Sequence, residues 1–158
     1  MTAAEAIQKE IDREKEELDG LDKEEKRLSD ALAQNPPNPR ALVEQLLEVL
    51  KKILHKKDFE EEIEGKKKAL AAVTAHPDTP LAAIDEEIAR EEKQAAEVGR
   101  KAQDLREKAY REQKEGQAEQ AKADRADAKK LSDEFDLELA RLRGKHEARR
   151  AVQHAKQQ

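Results

Sequence analysis

Cysteine and tryptophan are absent, and Met1 is the single methionine. Without cysteine there is no disulfide or thiol chemistry, which fits a reducing compartment. The only aromatic residues are Phe59, Tyr110 and Phe135, too few for a base-stacking platform. No apolar run approaches the roughly 20 residues of a membrane span. The start, Met1-Thr2-Ala3-Ala4-Glu5, has no signal-peptide pattern. These absences predict a soluble chain, neither membrane-inserted nor classically secreted, in the cytoplasm or within a large assembly such as a virion. Leu, Ile, Val and Phe total 29 of 158 residues, which is short of what an ordinary globular core of that length needs.

Catalytic motifs are missing too. There is no Gly-rich phosphate loop, no HExxH and no EF-hand loop. The histidines are His55, His76, His146 and His154, and no two are spaced as helical metal ligands. The reading is therefore not an enzyme, with no cofactor and no metal. The net charge of −5 gives no global basic field for nucleic acid.

What the sequence does hold is charge and helix formers. Ala, Glu, Lys, Leu and Arg supply 99 of the 158 residues, the composition of long helices or coiled coil when apolar residues are periodic. Two proline-rich breaks, Gln34 to Pro39 and His76 to Pro80, cut the chain into three stretches. Each break ends with an N-cap type before proline, Asn38-Pro39 and Thr79-Pro80, proline being favoured at the first helical position.

The first stretch, about 3–33, opens on a capping-box spacing at Thr2 and Glu5. Ile7, Ile11, Leu18, Leu21, Leu28 and Leu32 keep one heptad frame, with Glu14 and Glu25 in the skipped positions. Such a frame implies a partner helix. The two acids read as register-setting seam residues, because a carboxylate-bridged metal bundle wants a Glu-x-x-His motif that is absent. The second stretch, about 39–75, starts with the most apolar segment, Leu42 to Leu54, whose residues span a wide arc of the helix. The stripe then jumps to Phe59, Ile63, Leu70 and Val73 on nearly the opposite side. Lacking Gly or Pro at the jump, the helix is expected to continue. A break near Asp58, which has capping-box spacing to Glu61, is the alternative.

The third stretch starts at Pro80. Leu81, Ile84, Ile88, Ala95, Val98, Ala102, Leu105 and Ala109 share a heptad frame. From Arg106 to Lys130 no Leu, Ile, Val, Phe or Met occurs. That window reads as a solvated strut or a close alanine-faced contact, with Gly116 and Gly144 as points where it could kink.

The expected fold is all-α: an elongated antiparallel helical bundle or coiled coil of three long helices. Residues 1–115 form the bundle (helices about 3–33, 39–75 and 80–115). Residues 116–158 form a charged C-terminal helix projecting beyond it.

Three segments are candidate contact sites. Leu42, Leu46, Leu47, Leu50 and Leu54 read as bundle core or, given the width of the stripe, as a subunit interface. Leu131, Phe135, Leu139 and Leu142 form an isolated apolar cassette, suited to self-association or to docking in a partner's groove. Arg141, Arg143, Lys145, Arg149, Arg150 and Lys156 form a basic tail facing only Glu147 within its own segment, a match for phosphate backbones or an acidic protein face. The function these features predict is a non-enzymatic structural or assembly protein that braces a larger complex and docks partners through its C-terminal helix. A coiled-coil adaptor or chaperone for one protein comes second. A nucleic-acid-binding accessory protein, using the basic tail, comes third.

Overall fold

The computed structural model describes residues 1–157. They are all-helical, in the order α1 (Ala3–Ala33), α2 (Pro39–Leu54), α3 (Lys56–Ala75), α4 (Pro80–Lys114) and α5 (Ala118–Gln157). No helix among the described residues is long and apolar enough to cross a membrane.

The ends of the helices follow local chemistry. The Glu5 N–H donates to Thr2 Oγ1 at 3.2 Å, capping α1. After α1, Asn35 takes φ 49°, the left-handed conformation that stops a helix, and Pro36 follows with no N–H to continue it. Pro39 and Pro80 occupy the first turns of α2 and α4, although the Asn38 and Thr79 side chains make no capping hydrogen bond.

Two expectations are corrected. The second stretch is not one helix: α2 and α3 meet at His55, three residues before the candidate break at Asp58. Hydrogen bonds run on through the joint, from His55 N–H to Lys51 O and from Phe59 N–H to His55 O, both 3.2 Å. The joint is therefore a kink without a loop. Its cause is the jump in the apolar stripe. A straight helix cannot lay both Leu46 and Ile63 on the bundle, and a change of direction at His55 does.

The second correction concerns the C-terminal helix, which does not project. Gly116 has φ +80°, a conformation glycine adopts without steric cost. The Gln117 N–H donates to Glu112 O at 2.8 Å and the Gly116 N–H to Gln113 O at 3.4 Å, the bonding of a Schellman stop. The chain reverses there. α5 runs back along α4 and packs against α3 and α1 as well. The bundle is thus built from five helices, with α5 inside it.

The heart of the core is Ile7, Ile11, Leu18 and Leu21 of α1, Ile63, Ala69 and Val73 of α3, Ile84 and Ile88 of α4, and Ala148 and Val152 of α5. Away from it, α4 and α5 join through small residues. Ala95, Ala102 and Ala109 are buried on α4, and Ala121 and Ala128 on α5. The alanine-faced contact is thus the reading that holds for this bare window. Phe135 lies over Gly99, where an added Cβ would stand 3.1 Å from the ring. α3 and α5 come closer still: a Cβ on Gly65 would lie 2.0 Å from Arg141 O, and one on Gly144 would lie 2.0 Å from Glu62 O. Gly144 does not kink α5. It lets two backbones touch.

Candidate interaction surface and buried charge layers

α2 carries two parallel rows of apolar residues, each stepping by four, three and four. Leu42, Leu46, Val49 and Ile53 are half-buried and form the inner row, with Val49 and Ile53 packed on the core cluster. Val43, Leu47, Leu50 and Leu54 form the outer row, and it faces solvent, with Leu54 81% exposed and Leu47 54% exposed. Seven large hydrophobic residues are exposed among the described residues, and four of them make up this row. The other three, Met1, Tyr110 and Leu139, stand singly. An unbroken apolar row with nothing on it is uncommon on a monomer surface, which makes this one a candidate contact site.

The five α2 leucines singled out from sequence therefore divide. Leu42 and Leu46 turn inward, and Leu47, Leu50 and Leu54 outward. Beside the inner row, α1 and α2 enclose a groove of about 510 Å³. Its floor includes Leu18, Leu21, Val49 and Phe59, and its rim carries Glu16, Glu17, Glu24 and Glu48 against Lys52.

The second candidate, the α5 cassette, is largely covered within the chain. Leu131 and Phe135 are half-buried, Leu142 packs on the core cluster, and only Leu139 is exposed. Its expected role as a free docking helix is corrected accordingly: the groove that receives it belongs to this same chain.

The basic tail is corrected for a similar reason. Its cations meet acids from other helices, which sequence spacing within 141–158 does not reveal. Arg141 Nε lies 2.6 Å from Glu61 and Arg143 Nε 3.1 Å from Glu62, both on α3. Lys145 Nζ lies 3.3 Å from Glu87 and 3.2 Å from Glu91, and Arg149 Nε 2.6 Å from Asp85, all on α4. Of the six tail cations, Arg150 and Lys156 remain exposed and make no ion pair of this kind among the described residues.

Sequence reasoning missed the buried charge that results. Lys66 is fully buried, with Nζ 2.8 Å from Glu14 of α1 and 2.9 Å from Glu147 of α5. Glu62 stands one helical turn before it on α3. One carboxylate oxygen from each of Glu14, Glu62 and Glu147 lies within 4.8 Å of the others. Burial, together with the neighbouring Glu14 and Glu147, pushes the Glu62 carboxyl up to about 7, against the pull of Arg143. Burial alone would lower the Lys66 ammonium, but the carboxylates of Glu14 and Glu147 paired with it together outweigh that and hold it above its usual value. This arrangement does not resemble an open metal centre, because the cation among the carboxylates is the protein's own lysine.

Two further polar layers follow along α5. Glu91 and Lys145 pair inside the α4–α5 seam, and burial together with Glu91 raises the carboxyl of the adjacent Glu138. Near the reversal, Glu112 and Asp124 share a hydrogen bond that holds the Glu112 carboxyl up and the Asp124 carboxyl down. Lys108 approaches Asp124 at 3.6 Å. The signal for these layers was present as charged residues in heptad positions: Glu14 on α1, Glu91 and Glu112 on α4, and Asp124, Glu138 and Lys145 on α5. Polar residues at such positions commonly set register and partner choice, and tend to cost stability rather than add it.

Comparison with known proteins finds no match: no family model, no characterised protein and no solved structure is similar to this chain.

Proposed function

We propose that this chain is a non-enzymatic helical structural protein that braces a larger assembly, and that its docking element is the outer face of α2. The observation that carries the reading is the distribution of leucine. Five of the sixteen leucines lie in α2, and three of those five point into solvent while much of the α4–α5 seam is made of alanine. A chain this poor in large apolar residues leaves its richest row uncovered. A monomeric fold gains nothing from that, because about 25 cal/mol is forgone for each Å² of apolar surface left in water. A partner that covers the row recovers it.

The buried ion pairs suit the same role. They fix the relative register of α1, α3, α4 and α5, as a brace requires. The test is Leu47→Glu with Leu54→Glu in one chain. Helicity by circular dichroism is expected to stay at the wild-type level while assembly, read by light scattering on the complex, is lost. Loss of helicity in parallel would place these residues in the core and overturn the reading.

One feature favours the adaptor alternative. The acidic groove between α1 and α2 is floored by Leu18, Leu21, Val49 and Phe59, which is the chemistry to hold a short basic amphipathic segment of another protein. Binding of such a peptide that is abolished by Glu17→Lys with Glu24→Lys on the groove rim, with helicity kept and Leu47→Glu without effect, would favour it over the α2 outer face.

A further inference from the structure

The outer row of α2 is complementary to itself, and we infer that its occupant is a second copy of this chain, packed α2 against α2 in antiparallel fashion about a two-fold axis. This rests on the reading of that face as a docking surface and names its partner.

Apart from this row, the exposed large hydrophobics among the described residues are Met1, Tyr110 and Leu139, each alone. Among the described residues no second exposed apolar row offers a head-to-tail contact. The row is matched by the same row on another copy, and an isologous contact of that kind closes at two copies.

The row also has the symmetry such a contact requires. Val43, Leu47, Leu50 and Leu54 read the same from either end, stepping four, three, four. Reversing one helix on the other sets Val43 against the second copy's Leu54, and Leu47 against its Leu50. α2 is isolated as a stub, bounded by the proline break before Pro39 and by the kink at His55. Two such stubs, about 24 Å long, overlap fully when antiparallel.

The charges decide between orientations. On a helical wheel the inner row lies on one side of the outer row, and Arg40, Glu44 and Lys51 lie on the other. In an antiparallel pair like flanks face each other, with their order reversed. Glu44 then meets Lys51 of the second copy, and Lys51 meets its Glu44, giving two opposite-charge contacts. The midpoint between Glu44 and Lys51 falls about one residue, or roughly 1.5 Å, from the midpoint of the apolar row. Both side chains are exposed and free to reach across. Within their own helix they make only an edge contact each, Glu44 to Arg40 at 3.4 Å and Lys51 to Glu48 at 3.6 Å. A parallel pair would set the charged flank against the leucines of the other copy's inner row.

The experiment is size-exclusion chromatography with light scattering on the full chain, across a concentration series, for the wild type and four variants. The wild type is expected to have the mass of two chains and to dissociate on dilution. Leu47→Glu is expected to give one chain with helicity kept. Glu44→Lys and Lys51→Glu each place like charges opposite one another twice, and each is expected to raise the dissociation constant about tenfold. The double swap, Glu44→Lys with Lys51→Glu, recreates both contacts and is expected to return the constant to the wild-type value. A wild type of single-chain mass throughout would overturn the second-copy assignment and leave the docking reading to its own test. A dimer indifferent to Leu47→Glu would overturn both. A dimer lost with Leu47→Glu but not rescued by the double swap would overturn the antiparallel geometry.

Discussion

Gly65 and Gly144 interlock the backbones of α3 and α5, each lying against the peptide of the residue three positions before the other. A Cβ on either would stand 2.0 Å from a carbonyl oxygen, of Arg141 in one case and Glu62 in the other. Neither oxygen belongs to a side chain that could swing away. Glu61–Arg141, Glu62–Arg143 and Lys66–Glu147 advance together along both helices, so α3 and α5 run parallel through this contact. The crossing sets the depth at which α5 sits and brings Glu147 to Lys66.

Gly65→Ala and Gly144→Ala are therefore expected to destabilise the fold by about 3 kcal/mol or more each, since the helices must separate and the packing around them with it. Gly20 supplies the control. Nothing lies within 4 Å of its added Cβ, so Gly20→Ala is expected to stabilise by about 0.5–1 kcal/mol through helix propensity alone. Urea unfolding of the three variants checks the contrast, and a destabilising Gly20→Ala would contradict it.

Removing the buried cation has a distinct signature. Lys66→Met leaves Glu14 and Glu147 facing each other without their ammonium, and an uncompensated buried charge typically costs about 3–5 kcal/mol. Neutralising both acids as well, Lys66→Met with Glu14→Gln and Glu147→Gln, is expected to recover much of the deficit. Urea unfolding of the two variants measures it, and no recovery would mean the loss is one of packing.

Stability is also expected to depend on pH through Glu62. Its carboxyl titrates at about 7 in the folded chain against an ordinary 4.5, so between those values the folded state holds more protons than the unfolded one. The resulting stabilisation is fully present below 4.5 and is lost as pH rises through about 7. Glu62→Gln removes the titration and keeps the shape. It is expected to flatten the slope of melting temperature against pH over that window and to be the more stable variant above it. An unchanged slope would show that Glu62 is not the group responsible.

The two rows of α2 separate by a simple substitution. Leu46→Ala removes a half-buried side chain from the α1 contact and is expected to cost about 1–2 kcal/mol. Leu47→Ala, measured on the dilute chain, is expected to lie within about 0.5 kcal/mol of wild type, as surface changes do. A larger loss at Leu47 would show the outer row to be covered within one chain.

The helical class, the breaks at Pro36–Pro39 and Pro77–Pro80, and the seams of α1 and α4 were legible in the sequence. Each rests on local chemistry: a capping hydroxyl at Thr2, prolines that cannot continue a helix, and apolar residues in strict heptad step. The width of the α2 stripe was legible as well, though not which of its rows would be covered. The return of α5 was not legible. Its inward row runs through Ala121, Asp124, Ala128, Leu131, Phe135, Glu138, Leu142, Lys145 and Val152, and alternating alanine with charge gives no hydrophobic contrast to read. Gly116 read as a possible kink and proved to be a reversal, because glycine takes either sign of φ freely and the sequence alone does not say that the φ of +80°, which lays α5 on α4, is the one adopted. The ion pairs of the basic tail depend wholly on tertiary structure, since Arg141, Lys145 and Arg149 find Glu61, Glu91 and Asp85 at least fifty residues away. Local sequence fixes where a helix starts and stops. Which faces touch is decided by backbone approach and by the pairing of charges from distant segments, and only the assembled bundle supplies those.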